Sequence, residues 1–387
     1  MKNICNLYIG AWCLYYLQGT LYESGQWLSQ GLMLVLILSS LYYFYYANKR
    51  YKLPNVLKIL NIMLIIFTLY GSFIMLFGNG VSYVADYQYL KAIYMSLLPV
   101  YSFYVFTMKG ELTEKTLKLW VLFFIPIAIA SYFRDQREAL LAAMEIRSSR
   151  EEFTLNSAYI FLAIIPAIAL YKKALFQYSL LAICSYFVLT GMKRGAMLIG
   201  ALCLLYFIMS SFKHKSNTKK IWIFLLSVGL LALVYYGFLY MLNTSDYFNA
   251  RLEQTREGNA SGRDVLFSVF WNYFLDSNIF FFLFGSGADA TLRIIGYAHN
   301  DWLEIAVNNG VFGIVLYITY WINLYKTSNN TKDDALKKII MLFFIVYFFK
   351  TFFSMSYNDI PIYATCALGY ALAQQKMGNL KQINIRR

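Results

Sequence analysis

The chain has 387 residues, 59% of them hydrophobic and 14% charged, with a mean hydropathy of +0.50. A soluble domain averages about 45–50% apolar and about 25% charged residues, so disorder, collagen, coiled coil and a disulfide-rich secreted module are excluded. The net charge of +14 would suit a nucleic-acid binder, but the reading depends on where that charge sits.

Many apolar runs approach the ~20 residues that cross a bilayer as helix. In chain order the spans are expected near 3–18, 27–47, 56–78, 89–107, 116–133, 156–171, 174–190, 195–212, 221–242, 300–325, 338–353 and 359–374. The fold class is therefore all-α: a polytopic integral membrane protein of about 12 transmembrane helices, forming one transmembrane domain over residues 1–387. Cys5, Cys13, Cys184, Cys203 and Cys366 all fall in apolar runs, so neither a disulfide nor a thiol metal site is expected. The first apolar run lacks a small-residue cleavage site and is read as a retained helix.

Charge sets the orientation. With the N- and C-termini in the cytoplasm, the inner segments hold 22 Lys and Arg and only four acids, Glu111, Glu114, Asp333 and Asp334. The outer segments hold 12 Lys and Arg and 16 acids. That asymmetry is the positive-inside rule, and it accounts for the basic balance without nucleic acid. The two sides also differ in kind: 19 of the 22 inner cations are Lys, whereas nine of the 12 outer ones are Arg. Lysine suffices for orientation, while the arginine fork suits phosphate or carboxylate.

Two outer loops stand out. In 134–155, Arg134/Glu138 and Arg147/Glu151 have i,i+4 spacing and predict a solvated charged helix. The stretch 243–299 is the largest extramembrane piece, lying between helices nine and ten. Its Ser261-Gly262-Arg263-Asp264 resembles a capping box, and the aromatic-rich run 265–275 is too short to span, so an interfacial helix is expected there. Phe280–Phe284 then leads into Gly285-Ser286-Gly287, read as a flexible turn.

Few residues suit chemistry. His214 lies among lysines in an inner loop and reads as exposed filler. His299 falls at the outer start of helix ten, within Tyr297-Ala298-His299-Asn300-Asp301-Trp302-Leu303-Glu304. A helix N-terminus disfavours the imidazolium, leaving a neutral ring able to accept a proton. The bland alternative makes Asn300 and Asp301 caps, Glu304 a first-turn acid and His299 incidental. Lys193-Arg194-Gly195 opens helix eight against the orientation rule, and Arg263 opens the interfacial helix. Two Arg-bearing helix starts facing one outer cavity suit a pyrophosphate; each alone equally suits a phospholipid headgroup. Lys350, a turn below the outer end of helix eleven, either snorkels or points into that cavity. No Asp-x-Asp or Glu-x-Asp occurs in an outer loop, nor any Gly-rich phosphate loop or serine elbow.

Lys193-Arg194-Gly195, the Ser-Gly-Arg-Asp loop, Gly-Ser-Gly, the His-Asn-Asp-Trp-Leu-Glu element and then Gly310 and Gly313 together resemble the O-antigen ligase and polymerase superfamily over about residues 190–320. The resemblance implies a metal-independent, inverting glycosyltransferase acting on undecaprenyl-pyrophosphate-linked sugars at the outer leaflet of the bacterial cytoplasmic membrane. It maps pyrophosphate binding onto Arg194 and Arg263 and the catalytic base onto His299. Lys193, Lys350, Glu304 and Asn300 are further candidates for binding substrate, and Trp271 and Trp302 either stack on sugars or anchor in the interface. Implied partners are lipid-linked glycans, membrane lipids and a chain-length regulator, with no cofactor. The form of the His element is more similar to polymerases (Wzy type) than to ligases that pass the chain to lipid A–core. Arg251 and Gly262 also match an Arg-x10-Gly spacing of some polymerases, but with 12 Arg and 22 Gly in 387 residues about 0.7 such pairs are expected by chance, so the match carries no weight. A twelve-helix transporter or flippase commonly joins two six-helix halves through a longer central loop; here that loop is 172–173 alone.

Overall fold

The computed structural model describes residues 2–73, 83–145, 153–213, 216–257 and 263–385. Helix makes up 82% of it, and no strand occurs among the described residues. Seven helices are long and apolar enough to cross a membrane: Trp27–Arg50, Asn55–Phe73, Tyr89–Met108, Glu114–Met144, Arg194–Ser211, Asn217–Thr244 and Asp301–Asn329. The chain is thus a multi-pass membrane protein. The expected spans beyond these seven overlap the shorter or more polar helices Lys2–Tyr16, Ala158–Ile168, Ala174–Thr190, Asp334–Phe353 and Ile362–Ile385, and the end of the expected 56–78 span lies outside the described residues. All five cysteines are free and buried.

The burial pattern is that of a bundle in lipid. Residues 362–373 of the last helix and nearly all of Pro99–Met108 are buried, whereas Asn217–Thr244 and Trp27–Arg50 present Leu, Val, Phe and Tyr outward. An all-round apolar helix can sit in either place, because lipid and core are equally dry.

The end bearing residues 246–294, expected to face outward, carries the added structure. Four short helices, Asp246–Arg256, Arg263–Leu275, Ile279–Phe284 and Ala290–Ile294, fold where one interfacial helix was expected. Side-chain caps start two of them: Ser245 Oγ accepts from Phe248 N at 2.9 Å, and Asn278 Oδ1 from Phe281 N at 3.0 Å. Residues 134–145 prolong the Glu114–Glu145 helix. Arg134 does approach Glu138, at 3.8 Å, but it is not simply solvated. Its guanidinium donates to Gln18 O at 2.9 Å, and Arg137 donates to Gly19 O at 2.8 Å, so this turn pins the first interhelical loop. Arg147, Glu151, His214, Ser261 and Gly262 lie outside the described residues.

The Asp301–Asn329 helix is broken at Gly310, whose φ of 65° and ψ of −166° interrupt the ladder. The carbonyls of Val307 and Asn308 lose their helical partners there and accept instead from Ser286 N (2.8 Å) and Gly287 N (3.0 Å). A Cβ on Gly310 would stand 2.5 Å from Leu283 O, so only glycine admits both the conformation and the approach. The Gly-Ser-Gly turn is therefore tied backbone to backbone, where a flexible link was expected. Residues 301–309 become a separate half-helix whose start carries His299.

Candidate functional site

At the N-terminal end of Arg194–Ser211, the helix start is built by close packing. Gly191 O accepts from Leu155 N at 2.9 Å, and Met192 takes a left-handed φ of 50° before Lys193 and Arg194. A Cβ on Gly195 would meet Phe353 Cβ at 2.7 Å and the Tyr159 hydroxyl at 2.8 Å, so a larger residue would push this helix start off both neighbours. Glycine after the Lys-Arg pair brings the helix N-terminus against the 353 and 159 segments.

Lys193, Arg194 and Arg263 line one cavity of about 920 Å³. Arg194 Nη1 donates to Thr255 Oγ1 at 2.7 Å, which in turn donates to Arg251 O at 2.9 Å. Arg263 Nη1 donates to Phe353 O at 2.8 Å, and Lys193 Nζ to Asn156 Oδ1 at 2.6 Å. Each arginine is thus held in place by the protein. The deeper walls are apolar: Leu189, Met197, Ala201, Leu231 and Val234 line this cavity and also an adjoining one of about 220 Å³.

Two lining residues were not legible as candidates. Arg251 lines the cavity from the Asp246–Arg256 helix, though its spacing to Gly262 carried no weight. Tyr159 lines it from the Ala158–Ile168 helix, and its buried hydroxyl has no hydrogen-bond partner among the described residues. Neither stands in a local pattern; both arrive through tertiary packing.

His299 does not line the cavity; it is near enough for the Arg263 and Lys193 charges to act on it, and its backbone takes a left-handed φ of 51°. Its side chain is exposed. Partial burial first, then the Arg263 and Lys193 charges, hold its pKa below the ordinary histidine value. Burial and the Arg263, Lys350 and Arg251 charges lower Lys193 to about 8, against the opposing pull of Asp359.

The other predicted residues hold this loop or its surroundings. Asn300 is the cap, its Oδ1 accepting from Trp302 N (2.9 Å) and Leu303 N (3.2 Å). Glu304 is buried: one oxygen accepts from the Thr291 hydroxyl and the other from Ala298 N at 2.8 Å, closing the turn that precedes His299. Asp301 is no cap but lies fully inside, accepting from Ser356 N, Tyr357 N and the Tyr317 hydroxyl. Lys350 neither snorkels nor lines the cavity. It is 1% exposed, donates to Asp359 Oδ2 at 2.6 Å and to Asp359 O at 2.8 Å, and lies 5.0 Å from the Tyr159 ring centre. Trp302 Nε1 donates to Thr351 Oγ1 at 2.9 Å, while Trp271 is half exposed.

A multi-pass protein, all-helical among the described residues, with a cationic cavity opening onto apolar walls is the class that this fold and site define. Residues 179–318 match the family described as O-antigen ligase, and the match supports the O-antigen ligase/polymerase superfamily. The matched segment contains Lys193, Arg194, Arg263 and His299. No curated protein matches the chain.

Proposed function

We propose that the protein polymerises undecaprenyl-pyrophosphate-linked oligosaccharide repeat units, by inverting glycosyl transfer at the outer leaflet of the bacterial cytoplasmic membrane. The observation that carries this reading is the convergence of Lys193, Arg194 and Arg263 on one cavity with apolar inner walls, beside His299. A lipid pyrophosphate needs both: fixed cations for the head and a dry groove for the isoprenoid tail.

In this mechanism Arg194 and Arg263 grip the donor pyrophosphate and Lys193 adds charge. The acceptor hydroxyl oxygen attacks the anomeric carbon while the bond from that carbon to the pyrophosphate oxygen breaks. His299 takes the hydroxyl proton, and the arginines stabilise the charge gathering on the departing pyrophosphate. Asn300 and Glu304 hold the His299 turn, and the Tyr159 hydroxyl is placed to donate to a phosphate oxygen.

The family match favours a second reading, in which the same site passes the finished chain to lipid A–core. Purified protein supplied with lipid-linked repeat units separates the two. A ladder of chain lengths without lipid A–core supports the polymerase, and transfer only when lipid A–core is present supports the ligase. Neither product from folded protein would remove the transferase reading.

A further inference from the structure

A second cavity, of about 240 Å³, opens at the same outer end between the Lys2–Tyr16 helix, the Tyr83–Leu97 helix and the loop 354–361. One wall is aromatic: Trp12 and Tyr16 stack at 5.8 Å between centroids with their planes 30° apart, and Tyr15 stands edge-on to Trp12 at 6.0 Å. Lys91, Asn358 and Asp359 add polar groups to the lining. We propose that this cavity is a saccharide subsite, which holds a sugar ring of the glycan chain apart from the reacting unit.

The chemistry selects the ligand class. A sugar ring has an apolar C–H face for aromatic rings and a rim of hydroxyls for amide, ammonium and carboxylate groups. An alkyl chain would leave Asn358, Asp359 and Lys91 unused. A phosphate would meet the Asp359 carboxylate, two-thirds of which remains accessible beside its bond to Lys350. The floor is rigid: Ile360 N donates to Ser96 Oγ at 3.2 Å and Ile362 N to Tyr16 Oη at 3.1 Å. Both features fit a built pocket for a neutral or amino sugar.

Its position ties it to the cationic cavity. Tyr159 lines the large cavity and Ile160, the next residue, lines the small one. The Lys350–Asp359 pair stands between them, against the Tyr159 ring. Asp301, two residues after His299, holds the amides of Ser356 and Tyr357, and the next residues of that loop are Asn358 and Asp359. The 354–361 loop thus links the start of the His299 half-helix to the small cavity.

The proposal rests on the transferase reading for its biological meaning, but binding is testable alone. The probe is the repeat-unit oligosaccharide freed by mild acid from the lipid-linked pool of the source cells, titrated into detergent-solubilised full-length protein and followed by saturation-transfer NMR. Asn358→Ala and Tyr15→Ala should each weaken binding by about tenfold, the scale of a lost hydrogen bond or stacking contact. Tyr15→Phe keeps the ring and should stay within about twofold of wild type by the same reasoning. Unfolding midpoints matched to wild type certify the variants; should Tyr15→Ala unfold, loop residue Asn358 carries the test. No binding by wild type, or equal binding by wild type and Asn358→Ala, overturns the subsite. Retained, Asn358-dependent binding by a protein that makes neither ladder nor ligated product would sink the transferase reading and leave the subsite standing.

Discussion

The carboxylate of Asp301 accepts hydrogen bonds from the amides of Ser356 at 2.7 Å and Tyr357 at 3.2 Å, joining the start of the His299 half-helix to the loop between the last two helices. The group is fully buried, and its third partner is the Tyr317 hydroxyl. Removing it orphans two buried amides, each costing about 1–3 kcal/mol. Asp301→Ala should therefore lower the unfolding midpoint in detergent and reduce folded yield. His299→Ala, at an accessible turn, should leave the midpoint unchanged while cutting turnover by about 10²–10⁴-fold, the usual range for a general base. Normal chain ladders from a folded His299→Ala variant would remove the catalytic role.

His299 also makes a pH prediction. Burial, Arg263 and Lys193 lower its pKa, so the neutral, proton-accepting ring persists below the ordinary value of about 6.5. Activity should fall only as pH drops through that lowered pKa. Arg263→Gln deletes one of the opposing charges, so the His299 pKa should rise and the acid limb should move to higher pH. The chain has two histidines, so imidazole NMR with a His214 variant for assignment reads the shift directly. An unchanged His299 titration in Arg263→Gln would show that the two residues do not communicate.

Lys193 titrates near the alkaline edge, at about 8. As pH rises through that value the ammonium is lost, and the cavity with it loses one positive charge. Pyrophosphate binding by wild type should thus weaken between pH 7 and 9 more steeply than binding by Lys193→Arg, whose guanidinium stays charged. The comparison cancels the titration of pyrophosphate itself. Parallel pH profiles for the two proteins would place Lys193 outside the binding set.

The cations of the cavity were legible because they violate a rule. Lys193, Arg194 and Arg263 sit on the side that the charge count assigns to the outside, where the orientation rule disfavours basic residues, and so they stand out in one dimension. The helices were legible for a similar reason: a bilayer imposes length and apolarity on each segment separately. What the sequence hid depends on contacts between distant segments. Tyr159 is one tyrosine among 35, and only packing against Gly195 marks it. Glu304 and Asp301 look like ordinary first-turn acids of a helix start, yet both point inward, where Thr291, Ala298, Ser356 and Tyr357 satisfy them. The break at Gly310 is hidden because a glycine inside an apolar run is common in membrane helices; the partner that stabilises it, Ser286-Gly287, lies more than twenty residues earlier.

Orientation is tested by reporter fusions. Fusions after residues 51, 215 and 330 should read cytoplasmic, and those near 145 and 260 outside. A cytoplasmic reading at 260 would sink the mechanism, because the charge sorting and the cavity share that orientation.

The sharpest test of the cavity separates a fork from a charge. Arg194 Nη1 donates to Thr255 Oγ1 and Arg263 Nη1 to Phe353 O, which holds each planar group oriented rather than free to swing. If they grip the donor pyrophosphate through oriented N–H groups, lysine keeps the charge but not the geometry, since its ammonium is a point donor on a flexible stem. Losing one oriented donor where charge develops costs about 2.7–4 kcal/mol, or roughly 10²–10³ in rate. Contact with lipid headgroups predicts a different outcome, because anionic lipids attract either cation by about 1 kcal/mol per charge. Polymer yield and donor affinity for Arg194→Lys and Arg263→Lys, at matched expression, decide between them. Large losses in both quantities support the pyrophosphate clamp. Activity within about twofold of wild type, the range expected when only charge matters, would assign both residues to the lipid surface and take them out of the site.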